Sequence, residues 1–226
     1  MASINSSKLR NVLLSGFVPC LFFVFVISVM PIQNTFEFDA DEGINLIKAV
    51  LYSEGFSLYT EISNDQPPLF TVLLSYWFRL FGQTIFAARL LTLVFSTLLI
   101  WSFYQTLYIY LGYLLAFLGT LLLAMSSEFI QLSVSVMIGM PSLALAMLSI
   151  YLLTLYKQNR NLYVLLGSGA ALALSFQIKI FTAFLIPIMI LYLLDFKSIR
   201  WNIDEIKRYL FPAVFLWLGA ILVIYL

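Results

Sequence analysis

Eight apolar runs, at residues 12–30, 68–81, 85–109, 111–125, 141–156, 162–178, 180–194 and 209–226, make up most of this 226-residue chain. A helix of about 20 apolar residues spans the ~30 Å hydrocarbon core of a bilayer. Inside lipid every backbone N–H and C=O must be bonded within the protein, which only helices and closed barrels achieve. The runs lack the alternation of membrane strands, so they predict an all-α, polytopic membrane bundle. A 62% hydrophobic composition with 10% charged residues agrees, and a net charge of +1 gives no handle for nucleic acid.

Charge predicts the threading. Lys8 and Arg10 precede the first run, which reads as an uncleaved signal anchor with a cytoplasmic N-terminus. The Lys157/Arg160 loop and the Lys197, Arg200, Lys207, Arg208 loop are the basic ones and should also be cytoplasmic. Lys179, in the turn between the runs that separate them, then lies on the outer side. Parity favours run 68–81 as a short helix that does not fully cross; the alternative, in which it does cross, needs 129–140 to cross as well, with too few residues for the hydrocarbon core. The expectation is about seven crossings plus that short helix, with a first external loop at 31–67. The chain stops inside an apolar run without a polar flank, which suggests one transmembrane domain, 1–226, truncated at its C-terminus.

Cys20 is the only cysteine and histidine is absent, so carboxylates must carry any acid–base or metal chemistry. Most of the acidic residues fall in segment 36–70, Asp39, Asp41, Glu42, Glu54, Glu61 and Asp65 among them. Asp39 or Asp41 can cap a helix beginning DEGINLIKAVLYSEG that Gly55 stops. In that helix Ile44, Ile47 and Leu51 share one face and Asn45, Lys48 and Tyr52 another, the pattern of an amphipathic interfacial helix. Asn64, Asp65 and Gln66 precede Pro67-Pro68, a pair that forbids helix before it and opens one after it.

These residues resemble a family. An Asp–Glu pair after the first membrane helix, the spacing of Ala49, Gly55, Leu58 and Tyr59, the PPL at 67–69, LFG at 80–82 and AARL at 87–90 look like the N-terminal part of GT-C glycosyltransferases. The similar branches are protein O-mannosyltransferases, aminoarabinose transferases and lipopolysaccharide-core galacturonosyltransferases, and the likeness covers about residues 8–196. It implies a polyprenyl-phosphate sugar donor, a lipid or protein acceptor, inverting transfer, and an active site facing the periplasm or outside, most simply in a bacterial inner membrane. Asp41 matches the catalytic acidic position and Glu42 would orient the acceptor or tune the base. Asp65 and Gln66 match a donor-binding pair in which relatives carry Lys at the second place. Arg89 and Lys179 are the cations left to meet the phosphate. A divalent metal is compatible with the family but no cofactor is specified. Relatives often carry a second Asp where this chain has Gly139, and Glu128 is the nearby carboxylate that could replace it.

Plainer readings compete. Lys179 also suits a snorkelling turn cation, and Arg89 an anchor at the opposite interface. The aromatics at 101–110 read as an interfacial belt, and Gly167 with Gly169 as a close helix contact. A transporter should place ionisable residues inside its helices, which this chain does not. A non-catalytic membrane subunit would leave the Asp–Glu and Pro-Pro pairs unexplained.

Overall fold

The computed structural model describes residues 6–194 and 211–225, so the expected basic loop at 197–208 lies outside the described residues. The described residues are helical: α1 Ser6–Val29, α2 Asp41–Ser53, α3 Leu69–Phe81, α4 Ile85–Ala124, α5 Ser127–Val134, α6 Gly139–Asn159, α7 Leu162–Ile178, a 3₁₀ turn Ile180–Phe184, α8 Leu185–Leu194 and α9 Phe211–Tyr225. Two of these, Ile85–Ala124 and Gly139–Asn159, are long and apolar enough to cross a bilayer by length and composition.

The longer one is not a single rod. Gly112 has φ 76° and ψ 178°, outside the helical region. A Cβ built on Gly119 would meet Leu107 Cδ1 at 2.9 Å. Twelve residues of continuous helix would separate those positions by about 18 Å. The chain therefore doubles back at Gly112, where glycine accommodates the positive φ. The sequence had divided the same stretch into runs 85–109 and 111–125.

Side-chain contacts sort the helix ends into two poles. At one, Arg89 near the start of α4 meets Glu42 of α2, and Glu42 also accepts from the backbone N–H of Val136 beyond α5. At the other, Tyr110 and Tyr192 share a hydrogen bond and the Lys157 ammonium reaches the Tyr192 carbonyl at 3.1 Å. Both limbs of the α4 hairpin, then α6, α7 and the 3₁₀–α8 segment, run between these poles. Helix α3 does not. Its flanking residues Asp65 and Gln83 bond to Lys48 and Ser53, both on α2, so α3 lies beside α2 at the first pole.

What is buried and what is exposed is inverted relative to a water-soluble core. Leu80, Leu122, Phe184 and Phe215 are each about 70% exposed or more, while Ser96, Ser142, Ser149, Ser168 and Ser175 are fully buried. Large apolar side chains facing outward and small polar ones between helices are what a lipid environment selects. Helices α6 and α7 pack through two reciprocal serine pairs, Ser142 with Ser175 and Ser149 with Ser168, each hydroxyl donating to the other residue's carbonyl at 2.7–3.1 Å. The pairs are two turns apart on each helix, so both lie on one seam. Gly169 is a close contact, as its spacing suggested: a Cβ there would stand 2.7 Å from the Trp217 carbonyl of α9. Gly167 is roomier, with Leu152 Cδ1 at 3.6 Å.

The aromatic-belt expectation for 101–110 needs correction. Tyr110 is exposed at the second pole, but Tyr104 is fully buried and Trp101 packs edge-on against Tyr151 of α6 at 5.2 Å. Helical periodicity turns part of the cluster inward.

Candidate active site at one end of the bundle

The acidic segment is built by the cap of α2. Asp39 Oδ1 accepts from Asp41 N at 3.0 Å, and its carbonyl accepts from Glu42 N at 3.1 Å. Asp39 thus does the capping that the sequence allowed for either aspartate, and the Asp41 side chain has no hydrogen-bond partner among the described residues. Glu54 and Gly55, with φ 103°, end the helix where expected.

Glu42 turns the other way. It is 1% exposed, and Oε1 and Oε2 accept from Arg89 Nε and Nη2 at 2.9 and 2.7 Å. Val136 N and Phe38 N complete four bonds to the carboxylate. Arg89, also 1% exposed, spends its remaining N–H groups on the carbonyls of Ile32, Asn34 and Phe36. Its guanidinium lies 4.5 Å from the Phe38 ring centroid. Every donor on the guanidinium is occupied. The expectation that Arg89 presents a free cation to a phosphate is therefore not how the structure places it: burial and a bidentate partner tie it to the α1–α2 connection. The Asp–Glu pair divides, one carboxylate locked inside and the other left outward.

Asp41 opens on a cavity of about 220 Å³. Asn45 and Lys48 line it from the same helix, four and seven residues on and so on one face. The segment before α3 contributes Asn64, Asp65 and Gln66. That segment is held by Tyr59 Oη and Asn64 Nδ2, both donating to the Gln66 carbonyl at 2.9 and 2.8 Å, just ahead of the two prolines. Met137, Ile138 and Lys179 close the far side, with Asn45 Nδ2 donating to the Val136 carbonyl.

Of the six residues the sequence singled out, Asp41, Asp65, Gln66 and Lys179 converge here, although Lys179 is more than a hundred positions from the rest. Glu42 and Arg89 stand behind the wall. Lys179 is half-buried, and its ammonium has no partner among the described residues. Asp65 is exposed, bonded by Gln66 Nε2 and ion-paired with Lys48 at 3.2 Å. The Gln66 bond, its own backbone N–H and then Lys48 hold its carboxyl below the usual carboxylate range. Glu128 is exposed and does not line the cavity, and Gly139 has open space where a Cβ would be. Among the described residues no three His, Cys, Asp or Glu side chains are grouped to hold a metal. Sequence reasoning missed Lys48 as a site residue; its signal was the seven-residue spacing from Asp41.

A helical bundle with long apolar helices, and with carboxylates and ammonium groups gathered around one terminal cavity, defines an integral membrane protein with a polar site at one end. The family model described as dolichyl-phosphate-mannose-protein mannosyltransferase matches residues 65–225, and the chain belongs to this GT-C type family of membrane glycosyltransferases. Comparison with curated proteins gives no match. The matched region begins at Asp65, so Asp41 and Glu42 join the family region through the cavity and the Arg89 pair.

Proposed function

We propose that the protein transfers a sugar from a polyprenyl-phosphate carrier to a hydroxyl acceptor, lipid or protein, at the outer membrane–water boundary, with inversion at the anomeric carbon. The observation that carries this reading is that the carboxylate of Asp41 and the ammonium of Lys179, neither with a partner among the described residues, open on the same cavity. In the reaction Asp41 removes the acceptor O–H proton as the oxygen attacks the anomeric carbon. The anomeric C–O bond to phosphate breaks on the opposite side, and its electron pair leaves with the polyprenyl phosphate. Lys179 stabilises the charge gathering on that leaving group.

Other carboxylates are less suited to the base. Glu42 is saturated, Asp65 is ion-paired, Asp39 caps a helix and Glu128 points elsewhere. With Gly139 where relatives carry a second Asp, the mechanism proposed here uses one catalytic carboxylate. Gln66 adds a neutral hydrogen bond to the donor. A divalent ion would find only Asp41 and Asp65 as cavity carboxylates, so we infer that any ion arrives bound to the donor phosphate. The threading that suits the two poles is seven crossings with a cytoplasmic N-terminus and the cavity outside, periplasmic in a bacterial inner membrane.

The test is Asp41→Asn, which keeps shape and removes the base. Transfer from dolichyl-phosphate mannose, assayed on membranes, should fall on the order of a hundred- to ten-thousand-fold. Asp39→Asn, whose amide oxygen still caps, should stay near wild type. Near-normal transfer by Asp41→Asn would remove the proposed base.

A further inference from the structure

We propose that Lys48 is the second cation that receives the donor phosphate, and that Asp65 parks its ammonium at the cavity edge until the donor arrives. This rests on the donor reading above and assigns Lys48 a role that Arg89, walled off and saturated, does not fill.

Two ammonium groups open on the cavity, Lys48 from α2 and Lys179 from the turn after α7. The Lys48 side chain is 14% exposed, so its charge is largely withdrawn from water, yet its ion-pair partner Asp65 is 77% exposed. A pair with one arm in solvent is of the weak kind. Lys48 Nζ is 3.2 Å from Asp65 Oδ1 and 3.3 Å from Asn64 Oδ1, which engages two of its three donors. The third remains for a ligand. When Lys48 leaves, Asp65 keeps the bond from Gln66 Nε2 and gains water, so release exposes no bare charge.

The chemistry asks for such a cation. A polyprenyl-phosphate sugar is a phosphodiester with one negative charge, and the departing carrier is a monoester with about −1.5 to −2 at pH 7. The added charge appears as the anomeric bond breaks, and one ammonium at Lys179 balances only part of it. Lys48 stands on the same helix face as Asp41, so base and second cation are fixed relative to each other by two turns of helix. Exchange of a carboxylate for a phosphate then ties occupation of the cavity to loosening of the segment ahead of α3.

The experiment compares binding of dolichyl phosphate and of the uncharged alcohol dolichol to the full chain in nanodiscs. Wild type should prefer the phosphate. Lys48→Gln should weaken dolichyl phosphate about ten- to a hundredfold, the size of one charge-assisted hydrogen bond, and leave dolichol unchanged. Lys48→Arg should keep part of the preference. Asp65→Asn, by releasing the ammonium, should tighten dolichyl phosphate several-fold, a direction misfolding does not produce. A wild-type preference that survives Lys48→Gln intact would overturn the Lys48 assignment and leave the donor reading standing. No preference in wild type would remove the donor reading and this inference with it. Weaker binding in Asp65→Asn would make Asp65 a direct ligand and overturn the parking role.

Discussion

Replacing Arg89 by Gln tests whether its guanidinium is a structural tie or a donor ligand. The substitution strips Glu42 of both bidentate bonds and leaves that carboxylate, 1% exposed, with only the N–H groups of Val136 and Phe38. It also unpairs the carbonyls of Ile32, Asn34 and Phe36. Breaking a buried ion pair from one side costs about 3–5 kcal/mol, because the remaining charge stays buried without its partner. For a chain of this size each kcal/mol shifts the thermal midpoint by about 2–4 °C, so the fall should be roughly 6–20 °C. A double variant, Glu42→Leu with Arg89→Met, should be less destabilised than the sum of the singles, with a coupling of about 1–3 kcal/mol. It will not return fully to wild type, since three carbonyls still lack their donor. The assay is thermal unfolding of detergent-solubilised protein followed by tryptophan fluorescence. An Arg89→Gln protein with an unchanged midpoint and lost affinity for dolichyl phosphate would refute the structural role and restore the guanidinium as a phosphate ligand.

Two further outcomes follow from the packing and the threading. Gly169→Ala would force a methyl to 2.7 Å from the Trp217 carbonyl and 2.9 Å from Ala220 Cβ, so it should destabilise the α7–α9 contact by about 1–3 kcal/mol, whereas Gly167→Ala should be tolerated; midpoints of the two variants give the comparison. Ser63→Cys in a Cys20→Ser background should react with a membrane-impermeant maleimide in intact cells, because the proposed threading puts segment 36–66 one crossing after a cytoplasmic N-terminus; labelling only after lysis would invert that topology.

Local signals in the sequence carried most of the helical layout. Pro67-Pro68 predicted the start of α3 and Gly55 the stop of α2, because each is fixed by backbone constraints within a few residues, and the division between runs 85–109 and 111–125 fell close to the reversal, whose glycine, Gly112, the runs did not single out. The short length of run 68–81 and the parity of basic loops predicted a short helix that does not fully cross, and α3 has a residue on each flank bonded to α2. Pairwise partnership was harder to read. Arg89 and Glu42 are 47 positions apart, and no period or motif says that a cation in AARL folds back onto the Asp–Glu pair instead of facing a ligand. The same tertiary choice separates the two neighbouring acids, Asp41 on the cavity and Glu42 behind its wall.

That separation bears on how an Asp–Glu pair can serve a membrane enzyme. An aspartate standing alone on an interfacial helix would move with the helix. Here the next residue is bolted through Arg89 to the α1–α2 connection and through Val136 to the segment leading into α6. The second of these runs into Met137 and Ile138, which line the cavity together with Asp41. Orientation of reacting groups contributes to rate only when the catalytic atom is held in place. A saturated glutamate one position from a free aspartate supplies that rigidity without consuming the free carboxylate's own hydrogen-bonding capacity. On this view Glu42 acts on the reaction through position alone. Glu42→Gln keeps the shape but turns an NH2 group against two of the four donors and leaves Arg89 without its counter-charge, so it should lower the thermal midpoint, while the protein that remains folded should retain more activity than Asp41→Asn.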